Sequence, residues 1–233
     1  MPEDLDRVTS TDYLLFDPSG LVGYWPLNEG AGNTAHDQSG NGDNGTSATI
    51  GWSTSCKSGP SCIIAASGNA QINIPFASQL ALNKNFTIAN WIMVNTSIPA
   101  SSWPISFGNS GHAGYAIESV SGGTAWMFSY ATNYPTCDYS TYTAQYFPSL
   151  GTGTWHYLTV TYDGTNINLY LDGALYSSAG GPGSGMMCAA SSTDTFYIGG
   201  APVSPGSFSV SDARLYNRVL SAQEIQAIYA GGL

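Results

Sequence analysis

The chain has 233 residues, a net charge of −10 and only five Lys and Arg residues. So few cations argue against a basic surface, and therefore against nucleic acid as a partner. Charged residues make up 9% of the sequence, against about 25% in typical soluble domains. Ser, Thr, Asn, Gly and Tyr must therefore cover much of the surface. The sequence contains no apolar run near the ~20 residues that a membrane span requires.

The first segment, residues 1–19, differs from the rest because it is polar and acidic up to Asp12. We predict that it is a linker or the remnant of an upstream N-terminal helix, and that one domain spans residues 20–233. The residues after Met1 lack the apolar region of a signal peptide, which suggests that a targeting segment has been removed.

Strand patterns dominate the predicted domain. Phe86–Val94 is rich in β-branched and aromatic residues and is largely apolar on both faces, so we expect a central strand covered on both sides. Asp-Gly turns follow Trp155–Tyr162 and Asn166–Leu171, which predicts an antiparallel meander continuing from Ala174. Other predicted strands are Leu21–Trp25, residues 195–198 and Phe208–Tyr216. Many strands joined by Gly-rich turns predict an all-β sandwich or jelly roll.

One short helix is predicted at the C-terminus. Ser221 and Glu224 have the spacing of a capping box, and Ile225, Ile228 and Tyr229 recur at helical spacing. A helix of this length has no core of its own, so it must pack against the sandwich.

The four cysteines, Cys56, Cys62, Cys137 and Cys188, lack the spacing of a zinc site. We predict disulfides between Cys56 and Cys62, where Gly59-Pro60 turns the chain, and between Cys137 and Cys188. Disulfides imply an oxidising compartment and hence an extracellular or cell-surface location. Reduced core cysteines are the alternative.

Seven segments carry a further signal: residues 20–30 (GLVGYWPLNEG), 37–46 (DQSGNGDNGT), 86–92 (FTIANWI), 155–164 (WHYLTVTYDG), 169–173 (LYLDG), 196–200 (FYIGG) and 211–232 (SDARLYNRVLSAQEIQAIYAGG). In this order they resemble the laminin-G-like domains of the concanavalin A-like lectin/glucanase superfamily. The resemblance implies a two-sheet antiparallel jelly-roll β-sandwich. It also implies a role in adhesion and in sugar or protein binding, often with a calcium ion. Ser211-Asp212 stands where the family often has two acids.

Glycoside hydrolases need two carboxylates that flank the sugar. The chain has four glutamates, Glu3, Glu29, Glu118 and Glu224. No Glu-x-Asp-x-x-Glu arrangement is present, and no serine or cysteine nucleophile signature accompanies the three histidines. We therefore expect the chain not to be an enzyme.

A calcium site is predicted in the loop of residues 37–45, where oxygen-bearing side chains alternate with glycines. The expected ligands are Asp37, Asn41 and Asp43, with Asp212 joining them because the implied fold places the first and last strands together. Glu29 is a further candidate. The alternative is an Asx-rich turn that satisfies its own backbone.

A ligand-contact surface is predicted at Tyr134, Tyr139 and Tyr142, in a segment that Cys137 would anchor. Aromatic rings give large contact area at low entropic cost. Trp126 and Tyr130, which precede this segment, are expected in the core.

Two functions are consistent with these features. The first is a non-catalytic extracellular binding or adhesion module on a bacterial surface, with a glycan or a surface protein as ligand. The second is the globular head of a type IV pilin-like or pseudopilin subunit, which would pack against copies of itself in a filament. Residues 1–19 would then be the polar end of the subunit's N-terminal helix.

Overall fold

The computed structural model describes residues 17–57, 59–65, 71–96, 102–107, 114–120, 125–131, 142–182, 188, 192–200 and 208–231. Within these ranges the chain folds into two antiparallel β-sheets, which form a sandwich with one short helix at its C-terminal end. The all-β jelly-roll prediction is confirmed. No helix of the described ranges has both the length and the apolar character to cross a membrane.

The strands of the first sheet are β1 (Leu21–Trp25), β4 (Gly51–Ser53), β5 (Cys62–Ala65), β7 (Phe86–Val94), β12 (Trp155–Tyr162), β13 (Asn166–Leu171), β14 (Ala174–Gly180) and β16 (Phe208–Tyr216). They follow the order β14-β13-β12-β7-β16-β5-β4, and β1 also pairs with β16. The predicted meander is β12–β13–β14, and the predicted central strand is β7, which lies between β12 and β16.

The strands of the second sheet are β2 (Thr34–Ala35), β3 (Gly45–Thr46), β6 (Ile72–Ile74), β8 (Ile105–Phe107), β9 (Tyr115–Val120), β10 (Ala125–Ala131), β11 (Tyr142–Phe147) and β15 (Phe196–Ile198). They follow the order β11-β10-β9-β8-β15-β6-β3-β2. The segment from β6 to β7 contains a single 3-10 turn, Ser78–Leu80.

The main core lies between the two sheets and is built from the inward side of most of the strands. Phe86, Ile88 and Ile92 of β7 belong to it, as the alternation of that strand predicts. Trp126 and Tyr130 of β10 are also buried there, so their assignment to the core is confirmed.

The other face of the first sheet is covered by α1 (Ala222–Tyr229). Ser221 and Glu224 form the predicted capping box, and both Ile225 and Ile228 are buried. Leu220 packs in the same cluster, so this short helix gains its stability from the sheet beneath it.

The start of the described chain is attached to the end of the last strand. Arg218 Nε donates to the Ser19 carbonyl at 2.7 Å, and its Nη2 donates to the Asp17 carbonyl at 2.7 Å. Residues 1–16, on which the upstream-helix prediction rests, lie outside the described residues.

Candidate functional site

The predicted calcium loop is organised around the carboxylate of Asp37. Oδ1 accepts from the backbone N–H groups of Tyr24 and Ser39, both at 2.9 Å. Oδ2 accepts from Ser39 Oγ at 2.8 Å and from Asp43 N at 3.0 Å. A carboxylate has about four acceptor positions, and the chain's own donors use four. A cation at Asp37 would therefore have to displace at least one of them.

The other two expected ligands in this loop also have partners within the chain. Asn41 Nδ2 donates to the Val22 carbonyl at 3.0 Å, and Asp43 Oδ2 accepts from Gln79 Nε2. Burial raises the pKa of Asp43 despite the hydrogen bond from Gln79, and the nearby negative charge of Asp37 raises it further. A bound cation would relieve that repulsion.

Asp212, the fourth expected ligand, lies in a buried ion pair. The first strand does pair with the last: Trp25 of β1 lies opposite Ala213 of β16. The Asp212 carboxylate, however, accepts from both Nε and Nη2 of Arg214, at 2.5 and 3.0 Å. Both side chains are almost fully buried. Burial alone would lower the pKa of Arg214, but the facing carboxylate raises it above its ordinary value.

No cluster of three or more His, Cys, Asp or Glu side chains suited to a metal occurs within the described ranges. The geometry of Asp37 and Asp212 favours structural roles for both carboxylates. Calcium binding by Asp37, Asn41, Asp43 and Asp212 stays a prediction.

Two of the predicted ligand-contact tyrosines, Tyr134 and Tyr139, lie outside the described residues. Tyr142 begins β11 and pairs with Ala131 of β10, but its side chain is not described. Their contact with a ligand stays a prediction.

The cysteines are all oxidised where the structure describes them. Cys56 and Cys62 form the predicted disulfide. Cys188 is also disulfide-bonded, whereas Cys137, its expected partner, lies outside the described residues.

A cleft of about 200 Å³ opens beside the Cys56–Cys62 disulfide. The residues that line it are Asn28, Glu29, Gly30, Trp52, Ser53, Thr54, Pro60 and Ser61. One wall is residues 28–30, which follow β1, and the other is the hairpin of β4 and β5 with its 54–61 loop. We call this site the Glu29–Ser61 cleft.

The two walls meet because β16 pairs with both β1 and β5. On β16, Ala213 lies opposite Trp25 at the end of β1, and Val210 lies opposite Ile63 near the start of β5. A bulge separates these two pairings, and Asp212 within it has a left-handed φ of 54°. The chain leaving β1 therefore runs beside the residues that enter β5.

Two glycines with left-handed backbone lie where the walls face each other. Gly59 has φ of +69°, and a Cβ on it would lie 3.1 Å from Cβ of Asn28. Gly30 has φ of +72°, and a Cβ there would lie 3.5 Å from Ser61 Oγ. Left-handed backbone favours glycine at both positions. A side chain at position 59 would crowd Asn28, whereas a Cβ at position 30 would make ordinary contact with Ser61.

The cleft contains two buried oxygen atoms without a donor or acceptor from the described residues. They are Oε2 of Glu29 and Oγ of Ser61, and Ser61 as a whole is 3% exposed. The other carboxylate oxygen of Glu29, Oε1, accepts from His36 N at 2.8 Å and lies 3.3 Å from His36 Nδ1. That contact holds the Glu29 side chain in place, and Oε2 is buried without a hydrogen-bond partner among the described residues.

The aromatic member of the cleft is Trp52 on β4. Its Nε1 donates to the Gly32 carbonyl at 3.1 Å, and the side chain packs partly against the main core. The ring orientation is thus fixed before any ligand arrives, which lowers the entropic cost of binding.

From sequence, Glu29 is predicted only as a candidate metal ligand, and neither Trp52 nor Ser61 is predicted as a site residue. These residues have no common motif, because they come from two segments that only the pairing with β16 brings together. The usable signal in the sequence is the predicted Cys56–Cys62 disulfide, which places a constrained loop directly after Trp52.

Residues 66–226 match the laminin-G family described as the concanavalin A-like lectin/glucanases superfamily. The chain belongs to this superfamily. The match covers most of the sandwich and the helix, in agreement with the motif resemblance. A comparison with curated proteins found no match in sequence.

Solved structures with the same fold include toxin binding domains and a sialidase. The binding domain of Paraclostridial Mosquitocidal Protein 1 gives a TM-score of 0.71 at 14% identity, over 91% of this chain and 52% of that one. The ligand-binding domain of botulinum neurotoxin serotype D, in complex with N-acetylneuraminic acid, gives 0.71 at 15%, over 92% and 51%. Trypanosoma rangeli sialidase gives 0.63 at 18%, over 90% and 32%. This chain thus spans about a third to a half of those chains, and at these identities the likeness shows the fold.

Proposed function

We propose that this chain is a non-catalytic carbohydrate-binding module and that the Glu29–Ser61 cleft holds one sugar ring. The observation that carries the proposal is a pair of buried oxygens, Glu29 Oε2 and Ser61 Oγ, which belong to two residues that line the cleft and have no hydrogen-bond partner among the described residues. A buried polar atom without a hydrogen bond costs about 1–3 kcal/mol. A ligand hydroxyl that bonds to these atoms recovers this free energy.

The size and the wall of the cleft suit a single ring. Its volume of about 200 Å³ is below the ~300–1,000 Å³ of sites for drug-sized ligands. The Trp52 ring supplies an apolar surface, and Asn28, Ser53 and Thr54 add polar groups nearby. A few polar groups beside an aromatic wall are typical of sites that fix a ligand's orientation.

The number of carboxylates in the cleft supports the binding of a sugar rather than its hydrolysis. Among the described lining residues Glu29 is the single carboxylate, whereas glycoside hydrolases generally use two. Glu118, which is also buried, accepts from Ser129 Oγ with Oε1 and from Trp103 Nε1 with Oε2. Both of its oxygens are therefore engaged within the protein.

The comparisons support a sugar as the ligand, because the neurotoxin domain with the same fold was solved with N-acetylneuraminic acid. The disulfides support a location outside the reducing cytoplasm. Display on a bacterial surface is part of the proposal, and a protein ligand is the alternative to the sugar. The pilin-like alternative rests on residues 1–16, which the structure does not describe, and it stays a prediction.

A glycan array tests the proposal. We expect the wild type to bind at least one glycan family, and Trp52→Ala to weaken this binding about tenfold, as the loss of about 1.4 kcal/mol of contact free energy would. Tyr176→Ala is the matched control, because Tyr176 is an exposed aromatic residue on β14 away from the cleft. We expect it to bind like the wild type.

Trp52 also packs on the core, so a second variant, Ser61→Ala, keeps the test independent of folding. Melting curves of both variants show whether the domain stays folded. Binding that survives both substitutions in folded protein would place the ligand elsewhere, and the three predicted contact tyrosines would be the next candidates. No binding to any glycan would contradict the sugar proposal itself.

A further inference from the structure

We infer that the Glu29–Ser61 cleft selects an uncharged or amine-bearing sugar and rejects acidic sugars such as sialic acids and uronates. The inference rests on the proposed function and adds the chemical class of the ligand. It depends on the charge of the cleft, on the positions of the chain's cations and on the hydrogen-bonding capacity of the two free oxygens.

The cleft carries one negative charge that is poorly screened. Glu29 is the only charged side chain among the described residues that line it, and the Glu29 side chain is 14% exposed. Charges interact more strongly where water is largely excluded. An acidic sugar in the cleft would therefore meet an unfavourable local field, in a protein whose net charge is already −10.

The cations that the structure describes are engaged or placed elsewhere. Arg214 pairs with Asp212, and Arg218 pairs with Glu224 at 2.6 Å. Lys57 belongs to the 54–61 loop, but its Nζ lies 4.6 Å from the centre of the Trp91 ring on the first sheet. Neither it nor the exposed Lys84 lines the cleft. Within the described ranges, the cleft therefore lacks the Lys or Arg that a sugar carboxylate would require.

His36 is the remaining group of possible positive charge near Glu29. Its Nδ1 approaches Oε1, the oxygen that also accepts from the His36 backbone, and not the free Oε2. The imidazole is 61% exposed and does not line the cleft.

The hydrogen-bonding capacity of Glu29 and Ser61 favours the same class of ligand, an uncharged or amine-bearing sugar. An ionised carboxylate only accepts hydrogen bonds, so Glu29 Oε2 requires a donor from the ligand. A sugar hydroxyl or an ammonium group supplies one, and Ser61 Oγ can accept or donate to a neighbouring hydroxyl. A sugar carboxylate supplies acceptors alone and repels Glu29. In this respect the cleft differs from a site suited to N-acetylneuraminic acid, the sugar in the neurotoxin complex.

Isothermal titration at pH 8 and low salt tests the inference with three probes: a neutral methyl hexopyranoside, its 6-amino-6-deoxy analogue, whose amine is largely protonated at this pH, and N-acetylneuraminic acid. For the wild type we expect the amine to bind at least as well as the neutral sugar, and the acid to bind at least tenfold more weakly than either. Glu29→Gln keeps the shape of the side chain and removes its charge. We expect it to weaken binding of the amine about tenfold and to reduce the discrimination against the acid.

Asp17→Asn is the matched control, because it changes the net charge by the same amount at an exposed acid outside the cleft. We expect its probe ranking to equal that of the wild type. Wild-type preference for the acid, with Trp52-dependent binding, would overturn the charge selection and leave the sugar-binding proposal intact. A ranking that Glu29→Gln does not alter would also overturn it. Failure of every probe and of the glycan array would overturn both.

Discussion

Asp37 is the residue that most clearly joins separate parts of the chain around one side chain. Its carboxylate accepts from Tyr24 on β1, from Ser39 and from Asp43. Its backbone N–H in turn donates to Asn44 Oδ1 at 2.8 Å. These bonds fix the 37–45 loop against β1, and Asp37 is therefore important to stability whether or not the loop binds calcium.

We expect Asp37→Ala to lower the free energy of unfolding by about 2–4 kcal/mol, because hydrogen bonds to a charged acceptor contribute about 1.5–3 kcal/mol each and the loop relaxes in part. Thermal melting with and without a chelator measures this. The structural role predicts the same loss in both conditions. The calcium prediction requires in addition that the chelator lowers the melting temperature of the wild type and not of Asp37→Ala. Equal melting of wild type and variant in both conditions would contradict both roles.

Backbone strain occurs next to the cleft at Leu27. This residue is fully buried and has a left-handed φ of 61°, which is uncommon for a side chain of its size. Strained positions persist where the surrounding structure fixes them, and they cluster at functional sites. Leu27 thereby directs Asn28 and Glu29 toward the hairpin.

At the scale of elements, an ion pair links α1 to the end of the sandwich. Glu224 of α1 pairs with Arg218, and Arg218 also binds the start of the described chain. Glu224 Oε1 accepts from Arg218 Nη2 at 2.6 Å, and Glu224 Oε2 accepts from Ser221 N at 2.7 Å. Burial by itself would raise the pKa of Glu224. The hydrogen bonds from Arg218 and Ser221 outweigh burial and hold the pKa below its ordinary value of 4.5.

This lowered pKa predicts a pH dependence of stability. The folded state favours ionised Glu224, so its stabilisation is present above pH 4.5 and is lost as the pH falls through the lower folded-state pKa. Glu224→Gln keeps the capping box, since Gln also serves at that position. We expect it to cost less than about 1 kcal/mol at pH 7, because the pair is partly exposed. The difference from wild type should shrink below pH 4.5. Urea unfolding at pH 7 and pH 3 measures it, and a difference that grows with acid would contradict the assignment.

The β4–β5 hairpin connects the disulfide to the cleft. Replacing both Cys56 and Cys62 by Ala should lower the free energy of unfolding by about 2 kcal/mol, the value for closing a loop of this size. It should also weaken sugar binding, because Pro60 and Ser61 line the cleft from the loop that the disulfide closes. Urea unfolding and titration of the sugar test the two effects separately. Unchanged affinity in a destabilised variant would show that the disulfide does not organise the cleft.

For the whole molecule, strands and helices with a residue pattern over several positions were predictable from sequence, and strands of two residues were not. Phe86–Val94, the Asp-Gly meander and the capping box each carry a local signal over several residues, and the structure has them where they were expected. Strands such as β2 and β3 have only two residues each, too few for a recognisable alternation. The pairing of the first and last strands followed from the family resemblance.

The candidate site was predictable only in part, for a physical reason. Glu29 lies 32 positions before Ser61 in sequence, and nothing local links the two residues. They become neighbours because β1 and β5 pair with adjacent stretches of β16. The 37–45 loop has the oxygen-bearing residues expected of a metal site. The hydrogen-bond donors that its acids find elsewhere in the chain, such as Tyr24 N and Gln79 Nε2, cannot be predicted from that composition.

A sugar ring bound between Glu29 and Ser61 would alter the surroundings of the residues that line the cleft. The most direct measurement is NMR chemical-shift mapping of the isotope-labelled domain during titration with the sugar that binds best on the array. We expect the largest shifts at the Trp52 indole N–H and at the backbone amides of Gly30 and Ser61, with the indole signal assigned by its loss in Trp52→Phe. Largest shifts on β14, at Leu175 and Tyr176, or in residues 134–146, with these three signals unmoved, would contradict the claim.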